Sequence, residues 1–148
     1  MEAYKFMTEN VITCNESETL EHAAKLLIEE GITCLPIMND QDYLVGIITQ
    51  SDFLSKIVEV PHSMASIKQV FGQLHYFRSI EEMFENSKQI ILKDVMSKKL
   101  KTVSYDTDLN SVVSYMMRKK LRRIPVLKDD RLVGLITRKN LVKAFLLS

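Results

Sequence analysis

Two short segments carry the residue types that could do chemistry. The first runs Gly46-Ile47-Ile48-Thr49-Gln50-Ser51-Asp52, the second Gly134-Leu135-Ile136-Thr137-Arg138-Lys139-Asn140. In each, an apolar run ends at a threonine, and a carboxylate or an amide follows three positions later. A carboxylate at Asp52 can accept from both hydroxyls of a ribose, which also fixes the sugar's orientation. In the first turn of a helix the macrodipole favours its charge. Asn140 offers an amide oxygen for the same contact, without the charge. Thr49 and Thr137 stand where strand gives way to helix, beside unpaired backbone amides that suit a phosphate. Taken alone, the same residues read more readily as helix caps, and both roles are open at this point. Positive charge gathers at Arg118-Lys119-Lys120 and at Arg122-Arg123.

These segments recur because the chain repeats itself. Pro36 falls on Pro125 at a shift of 89, which also pairs Met7 with Met96, Thr13 with Thr102 and Leu20 with Leu109. One residue is lost in the turn that follows, and Gly46 then meets Gly134 at a shift of 88. A gap in a turn is the cheapest place for one. Within each copy, Thr19 or Asp108 can cap a helix whose apolar residues recur at i, i+3, i+4 and i+7. They are Leu20, Ala23, Ala24, Leu27 and Ile28, then Leu109, Val112, Val113, Met116 and Met117. Gly31 suits a left-handed helix end, and Lys120 holds that place less comfortably. A strand with the proline follows (Thr33 to Met38, Arg123 to Leu127), expected at an edge or with an irregularity. A second strand (Leu44 to Ile48, Leu132 to Ile136) leads into a helix opening near Ser51 or Lys139. That last helix carries Phe53, Leu54 and Ile57, or Leu141, Val142 and Phe145. With first strands at Val11 to Cys14 and Lys101 to Ser104, each copy reads β-α-β-β-α. The fold class is α+β, and a copy of some fifty residues needs its twin to complete a core.

The expected organisation is repeat 1 over 1–58, an insert over 59–91 and repeat 2 over 92–148. In the insert, Met64 to Phe71 and Ser79 to Phe84 could each form a short helix, the second capped by Ser79. Met7, Met38, Met96, Met116 and Met117 read most simply as core packing.

Composition narrows the function. Of 148 residues, 20 are basic and 19 acidic, a net charge of +1 that argues against a general nucleic-acid surface. No apolar run approaches a membrane span and no secretion signal is visible, so the expected compartment is the cytoplasm. The 2 cysteines and 3 histidines show no zinc-ligand spacing. The glycines at 31, 46, 72 and 134 form no phosphate-cradling loop, and no acid/base pair stands out, so no enzyme is expected.

The two Gly-hydrophobic-x-Thr-x-x-Asp/Asn segments, each preceded by Leu35-Pro36-Ile37 or Ile124-Pro125-Val126, resemble the signature of tandem CBS domain pairs. The resemblance covers roughly residues 4–57 and 93–146. It implies two repeats packed about a pseudo-two-fold axis, clefts between them, frequent homodimers, and adenosine-type regulatory ligands with no required cofactor. AMP, ADP or ATP is favoured; the arginines lean toward a phosphorylated nucleotide over S-adenosylmethionine, and NAD is also ranked below. It places Asp52 and Asn140 on ribose, and Thr49, Thr137, Arg122 and Arg123 on phosphate. Ile12, Thr13, Pro36, Thr102, Val103 and Pro125 would surround adenine. Arg138 and Lys139 are read as facing solvent. The resulting expectation is a sensor that acts on an unidentified effector protein. A ligand-free dimerisation scaffold is the alternative.

Overall fold

The computed structural model describes residues 1–59 and 79–148. Repeat 1 holds β1 (Cys14–Asn15), α1 (Leu20–Glu29), β2 (Cys34–Met38), β3 (Leu44–Thr49) and α2 (Gln50–Glu59). Then come α3 (Ile80–Ser87) and the single turn α4 (Leu92–Val95). Repeat 2 holds β4 (Val103–Ser104), α5 (Leu109–Arg118), β5 (Arg123–Lys128), β6 (Arg131–Thr137) and α6 (Arg138–Leu147). The expected α+β architecture of two β-α-β-β-α repeats is therefore present. Of the insert, Ser79 caps α3 by accepting from the Glu82 amide, and the helix expected at Met64 to Phe71 lies outside the described residues.

Local chemistry explains the ends of the helices. Thr19 Oγ1 accepts from the His22 amide at 3.2 Å, and Asp108 Oδ1 accepts from the Ser111 amide at 3.0 Å. Each satisfies one of the amides orphaned at a helix start. At the other end Gly31 (φ +60°) and Lys120 (φ +54°) both adopt the left-handed conformation.

Each sheet has three strands, β1-β2-β3 and β4-β5-β6, with the first pair parallel and the second antiparallel. The proline strands are thus central, not at an edge. The expected irregularity is real: register shifts between Ile37 and Met38 and between Val126 and Leu127. Because β1 pairs with β2 only from Ile37 onward, Pro36 sits where its strand is flanked on one side alone. A residue without an amide proton is tolerated there. The first strands are also shorter than expected, two residues each, since Val11-Ile12 and Lys101 line clefts instead.

The leading segment of each repeat packs on the other repeat. Residues 1–8 bond to repeat 2: the Ala3 amide donates to the Thr107 carbonyl at 2.8 Å, and Thr8 exchanges bonds with Leu135 at 2.8 and 3.0 Å. Correspondingly, the Leu92 amide donates to the Glu18 carbonyl at 2.8 Å, and Ser97 exchanges bonds with Ile47 at 3.0 Å each. The two cores follow this exchange. Leu92 and Met96 join Leu20, Leu35, Ile37 and Ile48, whereas Phe6 and Met7 join Val112, Ile124, Val126 and Ile136. The exchange also explains the signature glycines. A Cβ on Gly46 would lie 2.3 Å from Met96 Sδ, and one on Gly134 would lie 2.3 Å from Met7 Sδ. Met7, Met96 and Met116 are core residues, as expected. Met117 is not, being 74% exposed, and its counterpart Ile28 is 78% exposed. Val142 and Phe145 of α6 also face outward, so the apolar stripes of these helices are only partly buried.

Candidate functional site

Two clefts lie between the repeats, and most of their lining positions correspond. The first, about 400 Å³, receives Ile47, Thr49, Ser51 and Asp52 from the β3–α2 junction of repeat 1. Its other wall is repeat 2: Lys99, Leu100 and Lys101 before β4, and Lys120 to Arg123 with Pro125 at the start of β5. The second, about 300 Å³, takes Leu135, Thr137 and Lys139 from repeat 2. Repeat 1 gives it Thr8 and Asn10 to Ile12, with Gly31 to Cys34 at the start of β2. Exchange of the leading segments produces this arrangement, since it sets the β3–α2 end of one repeat against the β2-type strand of the other.

The clefts differ in charge. Five basic side chains and one carboxylate line the first, and Lys139 is the single charged lining residue of the second. Among the described residues, none of the five has an ion-pair partner, and the buried Arg123 Nε has no hydrogen-bond acceptor. A guanidinium left without an anion is a ready phosphate ligand. Asp52 and Arg122-Arg123, far apart in sequence, meet in this cleft, together with Thr49. Sequence reasoning had not placed Lys99, Lys101 or Lys120 here. Their signal was the same alignment that marked the arginines, because they replace Asn10, Ile12 and Gly31.

Asp52 and Asn140 occupy equivalent positions and do different work. The Asp52 amide donates to Thr49 Oγ1 at 3.0 Å, so Thr49 caps α2, while the Asp52 carboxylate has no protein partner among the described residues. Asn140 is 6% exposed and its amide is fully engaged. Its Oδ1 accepts from the Thr137 amide (2.8 Å) and hydroxyl (3.0 Å), and its Nδ2 donates to the Phe6 carbonyl (2.8 Å) and Thr8 Oγ1 (3.0 Å). It ties the N-terminal segment to repeat 2 and does not line the second cleft, contrary to the ribose contact expected of it. A carboxylate could not make the two donor contacts.

The residues expected around adenine divide. Pro125 lines the first cleft and Ile12 the second. Pro36 is buried inside β2, and Val103 pairs with Val126 in β4 and packs on the second core. Thr13 lines a separate groove with Asp42 and Arg131, and Thr102 lines neither cleft. The first cleft's apolar wall comes instead from Ile47, Leu100, Leu121 and Pro125. Arg138 and Lys139 are exposed, as expected, though Lys139 edges the second cleft. Cys34 connects the two clefts electrostatically. Burial pushes its thiol up to about 12, with the Arg123 guanidinium pulling down and the Asp52 carboxylate adding to the rise. A thiol held in that state is no nucleophile at neutral pH. No group of metal-ligating side chains is present among the described residues, and none of their helices is long and apolar enough to cross a membrane.

Comparison with known proteins converges. The family model for the CBS domain matches residues 3–59 and 92–147. CBSX1, a chloroplastic CBS domain-containing protein of Arabidopsis thaliana, is 28% identical over 149 residues, covering 96% of this chain and 63% of the relative. An uncharacterized protein of Methanocaldococcus jannaschii, MJ1426, is 27% identical over 144 residues, covering 91% and 86%. The chain spans 57% to 63% of the length of the first three curated relatives. A crystal structure of CBSX2 in complex with AMP superposes with a TM-score of 0.74 at 25% identity, covering 99% of this chain and 96% of that one. The CBS domain of a membrane protein from Sphaerobacter thermophilus gives 0.73 at 29% identity, covering 97% and 86%.

Proposed function

Because this chain belongs to the CBS domain family as a tandem pair, we propose that it is a regulatory module binding AMP, ADP or ATP in its basic cleft and signalling to a partner protein. The observation that carries this reading is the meeting of Asp52 and Thr49 from one repeat with Arg122 and Arg123 from the other. The unpaired carboxylate suits a ribose diol, the arginines suit phosphate, and Ile47, Leu100, Leu121 and Pro125 suit an adenine face. A similar chain, CBSX2, has been crystallised with AMP, which supports the ligand class.

In this reading the second cleft, lacking both a carboxylate and an arginine, is the weaker site. The module does no chemistry itself and acts in the cytoplasm as a homodimer. Supporting the dimer are the exposed apolar side chains Ile28, Met117, Phe145 and Leu146. A nucleotide alters output only by binding two conformations or assemblies unequally.

The test is thermal melting with AMP, ADP, ATP, NAD and S-adenosylmethionine. Ligand at about a hundred times its Kd adds roughly 2.7 kcal/mol. A rise with an adenine nucleotide that disappears in Asp52→Ala and Arg123→Ala supports the reading. No rise with any of the five would favour a ligand-free dimerisation scaffold.

A further inference from the structure

We propose that the basic cleft is shaped for a nucleoside di- or triphosphate, and that Lys120 sets this preference by reaching the outer phosphates. The inference rests on the nucleotide reading above and narrows its ligand class.

Lys120 stands in a backbone conformation that L-residues avoid, at φ +54°, where repeat 1 has Gly31 at φ +60°. The surrounding hydrogen bonds are the same in both repeats. The amides of Gly31 and Lys120 donate to Ile28 and Met117, and those of Ile32 and Leu121 to Leu27 and Met116. Nothing lies within 4 Å of a Cβ added at Gly31, so crowding does not select glycine in repeat 1. Backbone strain alone discriminates there, and it favours glycine in both copies. Repeat 2 nevertheless carries a lysine, and of the two equivalent positions it is the one that lines the basic cleft. Local strain sustained beside a ligand cleft is a signature of function.

The charge around it points to the ligand. Arg122 and Arg123 already provide for one phosphate. Lys99, Lys101 and Lys120 add three cations with no carboxylate partner among the described residues, where the opposite cleft has Asn10, Ile12 and Gly31. A monophosphate brings a charge of only about −2. The surplus matches a longer phosphate chain.

The experiment is titration calorimetry of the full chain in metal-free buffer with ATP, ADP, AMP and inorganic tripolyphosphate, on wild type and Lys120→Gly. Binding should tighten from AMP to ATP. Lys120→Gly should weaken ATP about tenfold, as one lost charge-assisted contact would, change AMP less than about threefold, and leave Tm unchanged or higher. Equal weakening of ATP and AMP, or no weakening of ATP, overturns the role of Lys120. AMP binding as tightly as ATP overturns the polyphosphate preference while leaving the nucleotide reading intact. Tripolyphosphate binding without any nucleotide binding would overturn the nucleotide reading, and this inference with it.

Discussion

Exchanging the equivalent residues Asp52 and Asn140 should have very unequal consequences. In Asn140→Asp the new carboxylate keeps the shape of the amide but loses its two donors. It then faces the Phe6 carbonyl at 2.8 Å and Thr8 Oγ1 at 3.0 Å. The threonine hydroxyl can rotate to donate, but the carbonyl cannot. A neutral hydrogen bond contributes about 0.5–1.5 kcal/mol net, and a buried acceptor left opposite a second acceptor costs about 1–3 kcal/mol more. Burying the charge at a position 6% exposed adds to this. The sum is about 2–4 kcal/mol, or about 5–15 °C in Tm for a chain of this size. Asp52→Asn, by contrast, alters a carboxylate with no protein partner among the described residues, so it should shift Tm by less than about 2 °C. Differential scanning calorimetry of both variants measures the contrast, and amide hydrogen exchange over residues 3–8 should show the N-terminal segment opening only in Asn140→Asp. Equal shifts in the two variants would refute the assignment of Asn140 as the tie between the N-terminus and repeat 2.

Gly46→Ala should destabilise by about 1–3 kcal/mol through overpacking against Met96, and in a double-mutant cycle in urea the double variant with Met96→Ala should lose less than the sum of the two single losses. Cys34 gives the fold an alkaline limit. Its folded value, about 12, lies above the usual 9.0, so the associated stability is complete below pH 9 and is lost as pH rises from 9 toward 12. The slope is up to about 1.4 kcal/mol per pH unit. Melting of Cys34→Ala should fall less steeply over that range, and parallel curves would count against the burial account.

Features set by local sequence and features set by long-range packing were not equally legible. The helix starts at Thr19 and Asp108, the left-handed turns at Gly31 and Lys120, and the two-fold repeat are local matters and could be read directly. The meeting of Asp52 with Arg123 was legible only as an expectation implied by the family resemblance. What escaped depends on which repeat packs on which. Residues 1–8 adjoin repeat 1 in sequence and complete the core of repeat 2, and that exchange is what buries Asn140 and brings Lys99 and Lys101 to the cleft. Ile28 and Met117 likewise fit the helical stripes of α1 and α5 and still face solvent. Periodicity reports one face of a helix without reporting how wide its cover is.

The most direct measurement is a crystal structure of the chain grown with ATP. The account predicts a nucleotide in the cleft between Thr49 and Arg123, with the Asp52 carboxylate on the ribose hydroxyls and Arg123 and Lys120 on the phosphates. A nucleotide seated instead beside Cys34 and Lys139, or held without contact to Asp52, would contradict it.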